Sequence, residues 1–295
     1  MKKLLLILLC LPLMTLGQNV NIPDANFKAY LILYQGINTN GDTEIQVSEA
    51  AAFNVTLYCI SLNISDLTGI EAFTAITGLW CHSNQLTSLD VSNNTALTFL
   101  DCGNNQLTSL DVSGATALTH LDCGNNQLTS LDVSNNTALT WLECPFNQLT
   151  SLDVSNNTDI FYLYCQQNQL TSLDVSNNTD LTFWFCDNNQ LTSLDVRNGK
   201  NTTMNFSASI NATLSCISVD DAAYSTANWT VANGDIDPQH YFSNNCPPPS
   251  AIQEHSTNKE LLKITDLLGR ETKETNQPLF YIYNDGTVEK RIVIE

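Results

Sequence analysis

The stretch LTSLDVSNNTALTFLDCGNNQ, Leu86 to Gln106, decides the fold, because near-copies of it recur every 21 residues as far as Leu191. A fixed period in the twenties is the mark of a solenoid: each unit is one supersecondary element that buries its apolar edge only against its neighbours. Aligned on Cys81, Cys102, Cys123, Cys144, Cys165 and Cys186, the copies read L-x-x-L-x-C-x-x-N-x-L, as in Leu97, Leu100, Cys102, Asn105 and Leu107. A degenerate earlier copy at Leu57, Cys59, Leu62, Ile64, Leu67 and Ile70 is expected to start the stack.

This pattern resembles the leucine-rich repeat, with Cys in place of the third core leucine. The resemblance implies a short parallel strand around Leu100 to Gly103 and its equivalents, stacked about 4.8 Å apart. The second half of each copy holds too many Asn, Ser and Thr for a helix. Turns or short extended pieces are expected there, with Leu107, Leu110 and Val112 inward and Asn93-Asn94-Thr95 at the corner. The expected fold is mainly β, a leucine-rich-repeat solenoid of about 21-residue repeats with its parallel sheet on the concave face. A helical N-terminal cap and a small C-terminal β domain complete it.

Two polar columns need weighing. Six stacked cysteines suggest disulfides or a metal rail, but neighbouring strands lie about 4.8 Å apart whereas a disulfide wants Cβ atoms about 3.8 Å apart. Free, buried thiols acting as small hydrophobes are expected instead. The carboxylates of Asp90, Asp111, Asp132, Asp153, Asp174 and Asp195 either gather cations or accept hydrogen bonds from turn amides, and the neighbouring Ser-Asn-Asn corner favours the second role.

The ends indicate a compartment. Met1-Lys2-Lys3, the apolar run Leu4 to Leu13 and Met14-Thr15-Leu16-Gly17 have the charged, hydrophobic and small-residue regions of a secretory signal peptide, residues 1–17. At the other end, residues 261–295 alternate apolar and polar around Asp285-Gly286, a β-hairpin after the linker Pro247-Pro248-Pro249-Ser250. This segment resembles the type IX secretion C-terminal sorting domain of Bacteroidota in Gly269-Arg270, Tyr283-Asn284-Asp285-Gly286-Thr287 and the closing Glu289 to Ile294 strand. The resemblance implies type IX machinery as a partner, removal of the domain, and a mature protein that is extracellular or attached at the outer-membrane surface, with no transmembrane helix. The formal net charge is −19, and no Lys or Arg falls between Lys28 and Arg197. Such a surface does not neutralise phosphates, so nucleic acid is not expected as a partner and anionic membrane surfaces are poor ones.

Residues 18–56 read as the N-terminal cap. Ile22, Phe27, Tyr30 and Leu31 fit a short helix with Pro23 at its start. Asn38, Asn40, Asp42, Glu44 and Glu49 follow, resembling an EF-hand calcium loop with oxygen ligands at its first, third, fifth, seventh and twelfth positions. Asn38 replaces the usual Asp and Thr43 the usual Gly, so any calcium site is weak, with a Kd of about 10⁻⁴ to 10⁻³ M; a plain helix-loop-helix cap without the ion is equally compatible. No other cofactor is required. Repeats are assigned to 57–196, a second cap to 197–246, and a linker to 247–260. Cys216 and Cys246 lie outside the ladder in an oxidising compartment, so a disulfide between them is expected to close the second cap.

The copies differ mainly around the strand. With Leu and Cys inward, one outward column holds Gly78, Phe99, His120, Trp141, Tyr162 and Phe183, and the other Trp80, Asp101, Asp122, Glu143, Tyr164 and Phe185. Water-facing aromatics flanked by carboxylates suit docking of a sugar or a basic peptide. Alternatively the rings simply stack on one another across strands. Trp184 takes a core Leu position, which points to Trp141, Tyr162, Tyr164, Phe183 and Phe185 as the best-formed patch. The four histidines form no HExxH, and no GxSxG, Walker loop or Cys-His pair at recognisable spacing is present. A non-enzymatic protein- or glycan-binding protein is therefore the expectation, with a calcium-linked structural adhesin next and a hydrolase a remote third.

Overall fold

The computed structural model describes residues 17–34, 36–247, 261–265, 279–283 and 288–291. The expected leader up to residue 16, the linker from 248 to 260, Gly269-Arg270 and the hairpin turn at 284–287 lie outside the described residues. The chain divides into two compact units, one ending at Pro247 and one beginning at Pro248.

In the first unit the period becomes a parallel solenoid. Three-residue strands at Thr56–Tyr58, Gly78–Trp80, Phe99–Asp101, His120–Asp122, Trp141–Glu143, Tyr162–Tyr164, Phe183–Phe185 and Asn205–Ser207 form one eight-stranded sheet in chain order. The register is strict: Leu100 faces Leu121, Leu121 faces Leu142, and Leu142 faces Leu163. Alternation then buries the central residue of each strand and, in the five strands from Phe99–Asp101 to Phe183–Phe185, leaves its neighbours half-exposed. The second halves of the coils are extended rather than helical. Ser88–Asp90 pairs with Ser109–Asp111, and Ser172–Asp174, Ser193–Asp195, Cys216–Ser218 and Tyr241–Ser243 make a four-stranded parallel sheet. Leu107 and Val112 are buried there, and Leu110 packs partly against the core.

Buried backbone groups at the corners are satisfied by asparagine columns. The amides of Asn84, Asn105, Asn126, Asn147, Asn168, Asn189 and Asn211 bridge two coils: Asn126 Nδ2 donates to the carbonyls of Cys102 and Cys123, and its Oδ1 accepts from Leu107 N–H at 2.9 Å. Asn94, Asn136, Asn157 and Asn178 form a second column, as Asn157 Nδ2 donates to the carbonyls of Val133 and Asn136. The sheet also runs beyond residue 196, where the repeated sentence ends. Phe206 takes the buried Leu place, Ala208 the Cys place and Asn211 the Asn place, so the coil geometry survives with other residues.

The cysteines Cys59, Cys81, Cys102, Cys123, Cys144, Cys165 and Cys186 are free and buried. Desolvation holds each thiol protonated, Cys59 and Cys165 being pushed up to about 12, and Cys102 Sγ donates to the Asp122 carbonyl at 3.4 Å. The outer aspartates cap turns: Asp111, Asp132 and Asp153 accept from the amides of Ser113, Ser134 and Ser155 at 2.9 Å.

Both ends of the stack are covered. Helix Ala25–Leu33 starts at Asp24, whose Oδ1 accepts from Asn26 and Phe27 N–H while Oδ2 accepts from Ser65. One side chain thereby caps the helix and ties it to the first coil. A second helix, Val47–Ala52, carries a capping box in which Gln46 N–H donates to Glu49. At the far end lies helix Ala222–Asn228, and Cys216 is disulfide-bonded to Cys246 across a separation of 30 residues. No helix among the described residues is long and apolar enough to cross a membrane. The second unit contains a three-stranded antiparallel sheet with Leu279–Tyr283 between Leu261–Thr265 and Val288–Arg291.

Candidate ligand-binding face

The strict register of the eight-stranded sheet turns sequence columns into rows of touching side chains. Trp80 stacks on Phe99 at 4.5 Å between ring centroids, Phe99 on His120 at 5.5 Å, and His120 on Trp141 at 5.4 Å. Trp141 meets Tyr162 at 3.8 Å and Tyr162 stacks on Phe183 at 4.5 Å. Six rings thus form one continuous file, flanked at Trp80 by Tyr58 and at Phe183 by the edge of Phe161. Strand spacing of about 4.8 Å is itself close to a stacking distance, so the rings cover one another's faces and present their edges outward. The Phe99 column itself stops at Gly78, where a Cβ would sit 2.7 Å from Thr56 Oγ1, and Trp80 of the other column completes the file. Tyr164 and Phe185, in the other column, pack edge-on at 5.0 Å, and Tyr164 also meets Trp141.

Beside the file lies a carboxylate row. Asp101, Asp122 and Glu143 are register partners on successive strands. With Trp80, Phe99, His120, Leu121 and Trp141 they line a depression of about 270 Å³. One oxygen of each carboxylate is held by the protein: Asp101 Oδ1 by Gly103 N–H at 3.1 Å, Asp122 Oδ1 by Gly124 N–H at 2.8 Å, and Glu143 Oε1 by the Trp141 indole N–H at 2.5 Å. Burial raises the Asp101 carboxyl above its ordinary value, partly offset by the Gly103 bond and by His82, whose Nε2 is 3.8 Å from Oδ2. Burial, then the negative charges of Asp101 and Glu143, push Asp122 up to about 6, against the Gly124 bond and the more distant His82.

The residues singled out on the sheet, Trp80, Phe99, His120, Trp141, Glu143, Tyr162, Tyr164, Phe183 and Phe185, therefore share one surface, and Asp101 and Asp122 belong with them. Trp184 lies beneath, fully buried and edge-on to Phe206 at 5.4 Å. A backbone outlier borders the same surface. The residue two after each ladder cysteine has positive φ, a position that Asn104, Asn125 and Asn188 tolerate but where Phe146 stands at φ 54° with its side chain 43% exposed.

The loop from Asn38 to Glu49 gathers its oxygens differently. Asn38 Oδ1 accepts from Gly41 N–H, Asn40 Oδ1 from Asp42 N–H, and Asp42 Oδ1 from Glu44 N–H. Glu49 is buried and accepts from Thr39 N–H, Thr39 Oγ1 and Gln46 N–H, which lower its carboxyl pKa despite desolvation. The Glu44 carboxylate pairs with Lys28 Nζ at 2.7 Å. Among the described residues no three His, Cys, Asp or Glu side chains converge as a metal site.

The family model for leucine-rich repeats matches residues 74–114 and 95–136, so leucine-rich repeats are present in the chain. Its fold is a leucine-rich-repeat solenoid. Among solved structures, the functional domain of InlJ from Listeria monocytogenes, described as including a cysteine ladder, is 31% identical with a TM-score of 0.41. That match covers 70% of this chain and 58% of that one. A leucine-rich-repeat protein of Leptospira interrogans is 21% identical with a TM-score of 0.45, covering 60% of this chain and 48% of its own. Internalin C2 of Listeria monocytogenes is 18% identical with a TM-score of 0.42, over 68% of this chain and 97% of that one. The chain spans less than two thirds of the first two. No curated protein matches the sequence.

Proposed function

We propose that the chain is a non-enzymatic recognition protein that binds a protein, or a glycan, across the outward face of its eight-stranded sheet. The observation that carries this is the pairing of a ring file with a carboxylate row on the face where otherwise near-identical coils differ. A solenoid supplies an extended, rigid platform, and a bare aromatic surface is favourable only where a partner covers it. Because the rings cover one another's faces, flat stacking onto a sugar is less suited than edge contacts to a peptide. The left-handed backbone that every coil carries at this position costs about 1 kcal/mol or more for a bulky residue, and Phe146 holds an exposed ring there where most coils have Asn, Ser or Gln.

The resemblance of residues 1–17 to a signal peptide and of 261–295 to a type IX sorting domain supports export, with the mature protein released or held at the cell surface. Calcium at Asn38 to Glu49 is an accessory in this reading, expected to raise thermal stability only near millimolar concentrations. The test is a glycan-array and surface-proteome pull-down with the full chain beside its Trp141→Ala/Tyr164→Ala/Phe185→Ala variant, with and without calcium. Capture is expected to fall at least tenfold in the variant, the scale of about 1.4 kcal/mol or more that clustered aromatic anchors contribute. Capture unaffected by the substitutions would return the rings to sheet packing and favour a structural, calcium-linked adhesin.

A further inference from the structure

Resting on that reading, we infer that the depression between the ring file and the carboxylate row is a slot for the lysine or arginine side chains of an extended peptide segment. Three features of the site select this occupant. The first is charge without an internal partner: Asp101, Asp122 and Glu143 are neighbours on adjacent strands, and no Lys or Arg falls between Lys28 and Arg197. Among the described residues His82 approaches the row at one end, against Asp101, and the His120 ring lines the depression beside the acids. The second is orientation. An N–H donor fixes one oxygen of each carboxylate, and the hydrogen bonds of Asp122 and Glu143 leave Oδ2 and Oε2 to accept from an incoming group. Half-buried carboxylates held in this way form strong, charge-assisted hydrogen bonds with a cation.

The third feature is the wall. Trp80, Phe99 and Trp141 line the same 270 Å³ as the acids, so the slot is apolar on one side and anionic on the other. Lysine and arginine match both sides, since their methylene stems lie along apolar surface while the head group stays polar. A bare metal ion does not match, because no three acidic, His or Cys side chains among the described residues converge on a point. The row spans two strand steps, about 10 Å, and side chains two positions apart in an extended chain lie about 6.7 Å apart. Two basic residues separated by one other residue therefore reach the row together.

The probe is a short dye-labelled Gly-Ser peptide carrying two lysines separated by one residue, titrated into the full chain by fluorescence anisotropy at low salt. A lysine-acetylated copy and an Asp101→Asn/Asp122→Asn/Glu143→Gln variant serve as controls. Binding is expected to weaken at least tenfold with the acetylated peptide, at least tenfold with the variant, and progressively with added salt. Equal binding by the acetylated peptide, or by the acid variant with its circular dichroism spectrum intact, overturns the slot. A partner captured in the pull-down and lost with the ring variant but kept by the acid variant also overturns it while leaving the recognition face standing. A partner kept by both variants overturns both.

Discussion

Asn147→Ala is expected to lower the free energy of unfolding by about 3 kcal/mol, the cost of leaving several buried backbone groups without partners. Asn147 is 8% exposed, and its Nδ2 donates to the carbonyls of Cys123, Cys144 and Pro145 while its Oδ1 accepts from Leu128 N–H at 3.0 Å. Alanine removes donor and acceptor together, and the corner is too well packed for solvent to replace both. These bonds share one side chain, so their losses do not add, and the expected figure stays well below their sum. The position also matters: in a quasi-linear stack each coil contacts only its neighbours, so a break in the middle weakens both halves. Urea unfolding followed by tryptophan fluorescence should show a lower midpoint and a broader transition. A loss under about 1 kcal/mol would show that the corner rehydrates and that the column contributes little.

Much of this was legible in the sequence because a solenoid repeats its own evidence. Leu100, Leu121 and Leu142 return at one spacing, which identifies the buried centre of each strand, and the Cys column reads as apolar packing from strand geometry alone. The Asn-Asn-Thr corner was legible only as a turn. Its second asparagine is buried and bridges coils, a role that a turn-forming residue type conceals. Continuation of the sheet through Phe206 and Asn211 was hidden for the opposite reason, since the geometry persists after the repeated sentence ends. On the outward face the sequence placed the acids Asp101, Asp122 and Glu143 in one column, together with Trp80, Tyr164 and Phe185, but left open whether the rings face solvent or one another. That depends on side-chain rotamers, which a register of columns does not specify; the structure gives a continuous file from Trp80 to Phe183. The depression beside it comes from which neighbours are large and which acids are held by N–H donors, again a matter of contacts rather than spacing.

Asp122→Asn is expected to make the protein more stable by about 3 kcal/mol at pH 7, since the folded carboxyl sits near 6 instead of 3.8 and each pH unit is worth roughly 1.4 kcal/mol, while weakening binding of the basic peptide. Burial and the facing charges of Asp101 and Glu143 push the folded Asp122 carboxyl up to about 6 from an ordinary 3.8, with the Gly124 amide and His82 opposing and the neighbouring Cys102 and Cys123 thiols neutral. Between those two values the folded chain keeps a proton that the unfolded chain has released. Stability from this group is therefore largest below about pH 4 and is lost as pH rises through about 6. Asparagine keeps the acceptor for Gly124 N–H and removes the charge, so the gain should be clear at pH 7 and nearly absent at pH 4. Thermal melts of both proteins across that range measure the difference directly. A variant less stable at pH 7, or an unchanged pH profile, would mean that the carboxylate row is relaxed by solvent and carries no strain. A substitution that stabilises the fold while weakening a ligand is the behaviour expected where a functional site breaks the local rules of stability.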